Sequence, residues 1–496
     1  MEQTRPIKEP VPYMQRVPFE VLLQIFHIVD TPKVQGFNCR TRILHRRIDS
    51  LGLHLGAVCR QWRNTVLSSP SLWASIQVDI TNNIYRTEML DALSATLSRS
   101  ASSNLMIIID FDDDAGINLG DPVIADAITS PLQPDPDSPN LIVTALLRML
   151  FAQPERIRHL ITRGNQNALV DLLILPILTS LNGRFQEMLH LDIDIPVNED
   201  DQYECGVMTD LFRFIECAPS IRELGLRLCW PRIDCFQHLT CPLTLLTRLH
   251  IRATTEECIW FFLRKCPNLE SALFSLIPTF DQFEIPYDIS CNHLHTFSIS
   301  YDTFYHRENL PFSFLNSISL PSLTNLTIGT LPTKALPYIF PDIAVFRPFI
   351  LRNGAGIRVF TLDRFPALPS EVERLFQHTP EVRKLVIIEP NWIDRRTGLS
   401  NKNYTANIDL TEALKDTRSL PKLEELRLYV NSNWVETGLE EMVQARRFMD
   451  VYVEIRDDSD ESVKGQHGFN DGEPNGLSEM SIVCLVIMLA FLWYTA

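Results

Sequence analysis

A chain of 496 residues is longer than one hydrophobic core usually serves, so we expect several domains or an elongated repeat array. Its 45% hydrophobic and 21% charged residues are typical of a folded protein. The formal net charge of −16 excludes nucleic acid as the main partner, because phosphate binding needs a basic face.

Cysteine usage indicates a reducing compartment. The 11 cysteines are irregularly spaced and include no Cys-x-x-Cys pair, which predicts reduced thiols in a cytoplasmic or nuclear protein. Residues 1–16 contain no apolar signal segment and are expected to be a flexible N-terminus.

Two amphipathic helices are predicted near the N-terminus. The segment "VPFEVLLQIFHIVD" (residues 17–30) has Pro18 at a helix-start position and apolar residues at spacings of three and four. A basic stretch, residues 33–47, follows and is interpreted as a solvated loop, with contact to an acidic partner as the alternative. In "LGAVCRQWRNTVLSS" (residues 55–69) the apolar residues share one helix face, and Pro70 ends the helix. These residues are Leu55, Val58, Cys59, Trp62 and Val66.

Together these segments resemble an F-box. "VPFEVLLQIF" is similar to the family phrase Leu-Pro-x-Glu-(Ile/Val)-Leu-x-x-Ile-Phe, and "VCRQWR" with the later "PSLW" is similar to the family's second half. "LDALSATLSRSASSNLMIIIDFD" (residues 90–112) resembles the helix, turn and strand that open the repeat region of fungal F-box-like proteins. The resemblance implies an F-box-like helical domain over residues 17–76, with Trp73 beginning the junction to the first repeat strand.

The resemblance also implies a partner, a Skp-type adaptor that joins the chain to a cullin RING ubiquitin ligase of the SCF type. Five residues of the first helix would lie at or beside the adaptor surface, and three of the second would hold or extend it. Carried over by position, they are Pro18, Val21, Leu22, Ile25 and Phe26, then Val58, Cys59 and Trp62. A helical hairpin that only caps the repeat array is the alternative.

A short phrase, apolar-x-x-apolar-x-apolar, recurs through the rest of the chain. Its eight clear copies have their first apolar residue at positions 221, 246, 269, 294, 323, 357, 382 and 423, so the steps are 25, 23, 25, 29, 34, 25 and 41. Weaker copies lie at residues 155–162 and 185–193. Most steps are near the roughly 20–29 residues of leucine-rich repeats.

Each phrase predicts a short strand, because apolar residues two apart point to one face. One repeat cannot bury that face alone, so neighbouring repeats must stack. Helical patterns precede several strands, at residues 207–216, 255–266, 370–379 and 410–417, with Ser370 and Glu373 as a capping box. The predicted fold is therefore α/β: an N-terminal helical F-box, then a curved leucine-rich-repeat solenoid of parallel strands over residues 77–454.

No cluster of side chains predicts an active site or a metal site. Asp110, Asp112, Asp114, Gly116 and Asp121 approach the spacing of a calcium loop, but a strand precedes them and Ala115 occupies the turn position that needs Gly. A solvated strand end is the preferred interpretation. We therefore expect no resident cofactor.

The cysteine and histidine residues of one short segment also lack the spacing of a zinc site. Cys229, Cys235, His238 and Cys241 are spaced unusually for zinc and are interpreted as core or turn residues.

The C-terminal region departs from the repeat pattern. Residues 455–479 are polar, Gly-rich and acidic, and are predicted to be a disordered linker. Residues 480–496, "MSIVCLVIMLAFLWYTA", contain no charge and lie near the lower length limit of a spanning helix. They are a candidate membrane anchor, with a docked hydrophobic tail as the alternative.

The resulting functional hypothesis is a non-enzymatic substrate receptor, whose F-box binds the adaptor and whose solenoid binds an unknown protein target. Candidate target-binding loops are residues 301–312 and 388–408, and candidate exposed anchors are Tyr301, Tyr305, Trp392 and Tyr404. A repeat scaffold, membrane-tethered or not, that is not coupled to ubiquitination is the alternative. A metal-dependent enzyme acting through Asp110 and Asp112 is the third class.

Overall fold

A computed structural model divides the chain into two compact units. The first comprises Met1–Gly116, Leu132–Ile157 and Gln466–Ala496, and the second comprises Ile117–Pro131 and Arg158–Gly465. The structure describes residues 18–30, 48–49, 51–80, 87–111, 139–163, 185–195, 211, 214–215, 218–228, 243–276, 288–301, 313–330, 346–364, 369–389, 408–431, 438–446 and 450–456.

The first unit contains a helical region followed by strands. Its helices are α1 (Phe19–Asp30), α2 (Leu51–Val58), α3 (Arg60–Leu67), α4 (Thr87–Arg99) and α5 (Pro139–Leu150), and its strands are β1 (Ile48–Asp49), β2 (Ser75–Ile80) and β3 (Leu105–Phe111). Strand β1 pairs antiparallel with β2, and β2 pairs parallel with β3. A 3-10 turn, Pro70–Trp73, joins α3 to β2.

The second unit is a strand array. Its strands are β4 (Ile157–Arg163), β5 (His190–Ile195), β6 (Glu223–Leu228), β7 (Arg248–Thr254), β8 (Ser271–Leu276), β9 (Ile289–Ser290), β10 (Thr296–Tyr301), β11 (Ile318–Ser319), β12 (Asn325–Thr330), β13 (Val359–Asp363), β14 (Lys384–Ile388), β15 (Glu425–Asn431) and β16 (Asp450–Arg456). Within the described part of this unit, β4 to β16 without β9 and β11 pair in sequence order, each parallel to the next. Strands β9 and β11 form a separate parallel pair.

The recurrent phrase folds as the sequence predicts. All ten copies contain strand residues, and the first apolar residue of each clear copy is buried, as Leu294 and Leu323 illustrate at 0% and 1% exposure. The strand residues that alternate inward, such as Leu326 and Ile328, are also buried. Mixed α/β architecture with parallel strands is therefore confirmed.

A repeated backbone contact fixes the distance between repeats. The carbonyl of Arg222 accepts hydrogen bonds from the N–H groups of Thr247 and Arg248, at 2.8 and 3.0 Å. The carbonyl of His295 accepts from Thr324 and Asn325 in the same way, both at 2.9 Å. Because each turn into a strand satisfies its donors on the preceding repeat, the register is set by the backbone as well as by side chains.

Five α-helices with described bounds lie in the second unit, and the first, third and fourth of them agree with predicted helical patterns. They are α6 (Glu256–Lys265), α7 (Arg347–Asn353), α8 (Pro369–Phe376), α9 (Ile408–Lys415) and α10 (Leu439–Ala445). Helix α8 begins at Pro369, one residue before the predicted cap Ser370. In a different helix, α6, Thr255 is the N-cap, and its side chain accepts a hydrogen bond from the Cys258 N–H at 3.4 Å.

Several predicted segments lie outside the described residues. They include the N-terminus, the basic stretch 33–47, most of the linker and the apolar tail 480–496; β16 extends through Arg456, two residues into the predicted linker. Among the described residues, no helix is long and apolar enough to cross a membrane.

Candidate functional site

The helices of the first unit pack around a small aromatic core. Phe26 of α1 is fully buried and meets Trp62 of α3 edge-on, with ring centroids 4.8 Å apart. The other buried members are Leu22, Leu55, Val66, Leu72 and Trp73. Because the three helices α1, α2 and α3 and the 3-10 turn all contribute to this cluster, this N-terminal helical region, which we call the hairpin, has a core of its own.

The single second helix that the sequence predicts is wrong, because the chain breaks it at Cys59. Cys59 has extended backbone angles and acts as the N-cap of α3, its Sγ accepting from the Trp62 N–H at 3.5 Å. Consequently Val58 does not share the buried face of Leu55 and Trp62: it ends α2 and is 57% exposed. Cys is a weak acceptor, which is why the sequence did not indicate a cap here.

The eight predicted adaptor residues separate into an accessible set and a supporting set. Leu22, Phe26 and Trp62 are at most 4% exposed and form the core beneath the surface. Pro18, immediately before α1, is exposed, while Val21 and Ile25 of α1 are half-buried; the three residues follow a spacing of three and four and form what we call the apolar stripe. Exposed Val58 and half-buried Cys59 lie at the junction of α2 and α3. Exposed Phe19 and Leu67, at 42% and 48%, were not predicted.

Trp73 connects the hairpin to the first strands, as the sequence predicts. Its indole N–H donates to the Val66 carbonyl at 2.8 Å, and the Arg99 guanidinium lies 4.5 Å above its ring. Trp73 is 2% exposed and precedes β2 by two residues. Trp73 therefore contacts α3 through the Val66 carbonyl and α4 through Arg99.

The second candidate surface is the side of the sheet opposite the buried row, which we call the polar strand face. The types of side chain on this face change from strand to strand along the array. Strands β4 to β7 carry His159, His190, Glu223, Arg248 and His250 there. Strands β8, β10, β12 and β13 carry short uncharged residues: Ser271, Leu273, Thr296, Ser298, Asn325, Thr327, Val359 and Thr361.

One hydrogen bond and one ion pair tie the charged part of this face across neighbouring strands. Glu223 Oε2 lies 2.9 Å from His190 Nδ1, and its Oε1 accepts from Arg248 at 2.9 Å. The hydrogen bond from His190, with the charge of Arg248, holds the pKa of Glu223 below its usual value although burial opposes this. Burial, aided by Arg252, lowers the pKa of His250 to about 3, so this ring is neutral at pH 7.

At the other end of the array, the face is charged and aromatic. Glu425 pairs with Lys384 at 3.3 Å and with Arg427 at 2.5 Å. The rings of Tyr429 and Tyr452 have centroids 6.1 Å apart, and Tyr452 is 36% exposed. These side chains come from three successive strands, so only the folded register brings them together.

The expectation that Tyr301 is an exposed anchor is wrong. Tyr301 is the last residue of β10 and falls in the inward row with Phe297 and Ile299, which leaves it 1% exposed. Burial raises its pKa well above the usual value. Tyr305, Trp392 and Tyr404 lie outside the described residues, as does almost all of the loops 301–312 and 388–408.

The metal-like clusters of the sequence are only partly described. Asp110 accepts a hydrogen bond from the Gln77 amide at 2.6 Å, across β2 and β3. The other members of both clusters lie outside the described residues: Asp112, Asp114, Gly116 and Asp121, and Cys229, Cys235, His238 and Cys241. Throughout the described ranges, no group of three or more His, Cys, Asp or Glu residues is arranged to hold a metal ion.

Comparison with known proteins gives the chain no family. No protein-family model matches it, and no curated protein matches it.

Proposed function

We propose that this chain is the substrate-recognition subunit of an SCF-type ubiquitin ligase. The observation that carries the proposal is the hairpin: its Phe26–Trp62 core is buried, yet the apolar stripe of α1 remains accessible. An apolar stripe on a folded helical module is suited to receiving a partner helix or groove. The F-box resemblance of the same residues makes a Skp-type adaptor the partner.

The second unit would supply target binding in this proposal. Parallel repeats present a long regular surface whose side chains vary from strand to strand, which is the property that repeat proteins use for recognition. The target would lie on the polar strand face and on the loops 301–312 and 388–408. The chain itself performs no bond chemistry and needs no cofactor, because it acts by holding the target near the ubiquitin-transferring partner.

The proposed location is the cytoplasm or the nucleus, where thiols stay reduced and SCF-type partners would be met. The uncharged segment 480–496 remains the candidate membrane anchor of this proposal. A repeat scaffold without a ligase partner is the competing function, and it differs by one property, adaptor binding.

Ile25→Asp tests the adaptor interface in the full chain. Ile25 is half-buried at the edge of the core, so a carboxylate there places charge in the proposed contact and leaves Phe26 and Trp62 in place. We expect co-purification of a Skp-type adaptor to fall at least about tenfold, as loss of a central apolar contact does. Phe26→Asp is unsuitable because Phe26 is fully buried and its loss would unfold the hairpin.

Leu67→Asp is the matched control. Leu67 is a 48% exposed apolar residue of the same hairpin, on α3, outside the apolar stripe. Its variant should retain the adaptor, and circular dichroism should show that both variants are folded. A wild-type chain that captures no adaptor, or an Ile25→Asp chain that captures as much as Leu67→Asp, contradicts the ligase function.

A further inference from the structure

Two histidines occupy the same position in neighbouring strands of the second unit. His159 of β4 and His190 of β5 are direct partners in the parallel register, so their side chains leave the sheet on the same face. Their ring centroids are 5.8 Å apart and the ring planes are inclined by 32°. The sequence does not show this pairing, because 30 residues separate the two histidines and only the strand register joins them.

Each ring carries a nitrogen atom without a hydrogen-bond partner. His159 Nδ1 and His190 Nε2 are both buried from solvent and make no hydrogen bond in the structure. Buried polar atoms are normally paired, because leaving one unpaired costs about 1–3 kcal/mol. Two such atoms on adjacent rings are therefore candidates to share one ligand.

Glu223 fixes which nitrogen of His190 is available. The Glu223 carboxylate lies 2.9 Å from His190 Nδ1, and Arg248 keeps its second oxygen engaged at 2.9 Å. An ionised carboxylate can only accept, so Nδ1 carries a proton, and in the neutral ring Nε2 then presents a lone pair. Metal-binding histidines are usually oriented by a carboxylate in this way.

The ring separation fits a shared cation. With a Zn–N bond of about 2.0–2.1 Å and roughly 1.2 Å from nitrogen to ring centre, two imidazoles on one ion have centroids at most about 6.5 Å apart. The observed 5.8 Å lies within that limit. Imidazole is a ligand for zinc, copper and nickel rather than for magnesium or calcium.

We propose that His159 and His190 form a two-imidazole site for a borderline divalent cation of the zinc class. His159 Nδ1 and His190 Nε2 are the ligands, and Glu223 is the positioning residue. Two protein ligands leave the other coordination positions to water or to a side chain of a bound partner. The site is independent of the adaptor interface, which is in the other unit.

Zinc titration of the full chain by calorimetry tests the site. Wild type should bind one zinc ion with an affinity that falls at least tenfold in the His159→Gln/His190→Gln double variant. Glu223→Gln keeps both ligands and should weaken zinc binding about 10–100-fold, as loss of an orienting carboxylate does. Magnesium should give no binding in any variant.

His295→Gln is the matched control, because His295 is an exposed histidine of the same array whose Nδ1 lies 3.1 Å from the Ser322 carbonyl. This variant should bind zinc as wild type does. An isotherm that is the same for wild type and the double variant overturns the proposal, since zinc would then be held by other histidines or cysteines.

If the double variant does not fold, a spectroscopic measurement on the unmutated protein still tests the site. One equivalent of Cu²⁺, which binds such ligands more tightly than Zn²⁺, should give an electron paramagnetic resonance spectrum with splitting from two imidazole nitrogens. The same spectrum should appear in His295→Gln. A spectrum from one nitrogen or none in the wild-type chain also overturns the proposal.

Discussion

Glu256 shows how the fold changes the chemistry of a single residue. It is the first residue of α6, yet it is only 2% exposed and its Oε1 has no hydrogen-bond partner. Burial, with a smaller effect from Glu257, raises the pKa of Glu256 to about 8. A carboxyl group without a partner for its charge is held neutral by its surroundings at pH 7.

This raised pKa predicts that the fold loses stability as pH rises. Between the usual Glu pKa of about 4.3 and about 8, the folded chain keeps a proton that the unfolded chain has released. The contribution of Glu256 to the free energy of unfolding is therefore intact below this window. It should fall by up to about 1.4 kcal/mol per pH unit within the window, as measured by urea unfolding at several pH values.

Glu256→Gln isolates this effect, because the amide has the same shape and does not ionise. The variant should unfold like wild type at pH 5 and be more stable than wild type at pH 8.5. Glu441→Gln, at an exposed carboxylate that pairs with Lys415, should keep the wild-type slope. Parallel pH profiles for wild type and Glu256→Gln would show that Glu256 is ionised in the folded chain.

Arg446 is the opposite case, a buried cation whose charge is stabilised by backbone carbonyls. It is 8% exposed and donates to the carbonyls of Leu414, Asp416, Ser419 and Leu420, which lie at the end of α9 and in the turn after it. The five donors of a guanidinium match such a cluster. Sequence reasoning did not find this role, since an arginine after a helix is ordinarily solvated.

At the scale of elements, strands were predictable and helix limits were less so. The phrase ending in Leu326 and Ile328 identifies a strand because period-2 burial is written directly into its residue types. The break at Cys59 was not predictable, since the apolar spacing continues across it and only the backbone conformation reveals the cap. The burial of Tyr301 was missed because β10 continues two residues beyond the phrase, which ends at Ile299, so the same alternation turns Tyr301 inward.

Two glycines of the strands predict different responses to a methyl group. A Cβ on Gly329 of β12 would lie 2.8 Å from the backbone carbonyl oxygen of Asp363 in β13, which cannot move without shifting the strand. A Cβ on Gly225 of β6 would lie 2.3 Å from the carboxylate of Asp192, the end of a side chain that can turn away.

We therefore expect Gly329→Ala to lower the free energy of unfolding by about 1–3 kcal/mol, the usual cost of overpacking. Gly225→Ala should cost clearly less and serves as the control. Chemical unfolding of both variants measures the difference. Equal costs would mean that the β12–β13 pair can open at Gly329 without losing its register.

At the scale of the molecule, the array form was predictable but the working surface was not. The steps of 23 to 41 residues between phrases require stacking, because each repeat exposes an apolar face by itself. Which side chains meet on the polar strand face follows from a register between distant residues, as for His190 with Glu223 and Arg248. The proposed adaptor residues come from a resemblance in the sequence, whereas the histidine pair comes only from the fold.

The stacking of repeats predicts that damage to one repeat spreads to its neighbours and then fades. Leu326 is 1% exposed, and its register partners on either side are Phe297 of β10 and Phe360 of β13. Leu326→Ala should cost about 2–5 kcal/mol. Because each repeat contacts mainly its neighbours, amide hydrogen exchange should accelerate most in β10, β12 and β13 and least in β5 and β15.

Leu351→Ala, at a 56% exposed leucine of α7, is the control and should leave exchange unchanged. Equal acceleration in all strands would instead mean that the array unfolds as one cooperative body.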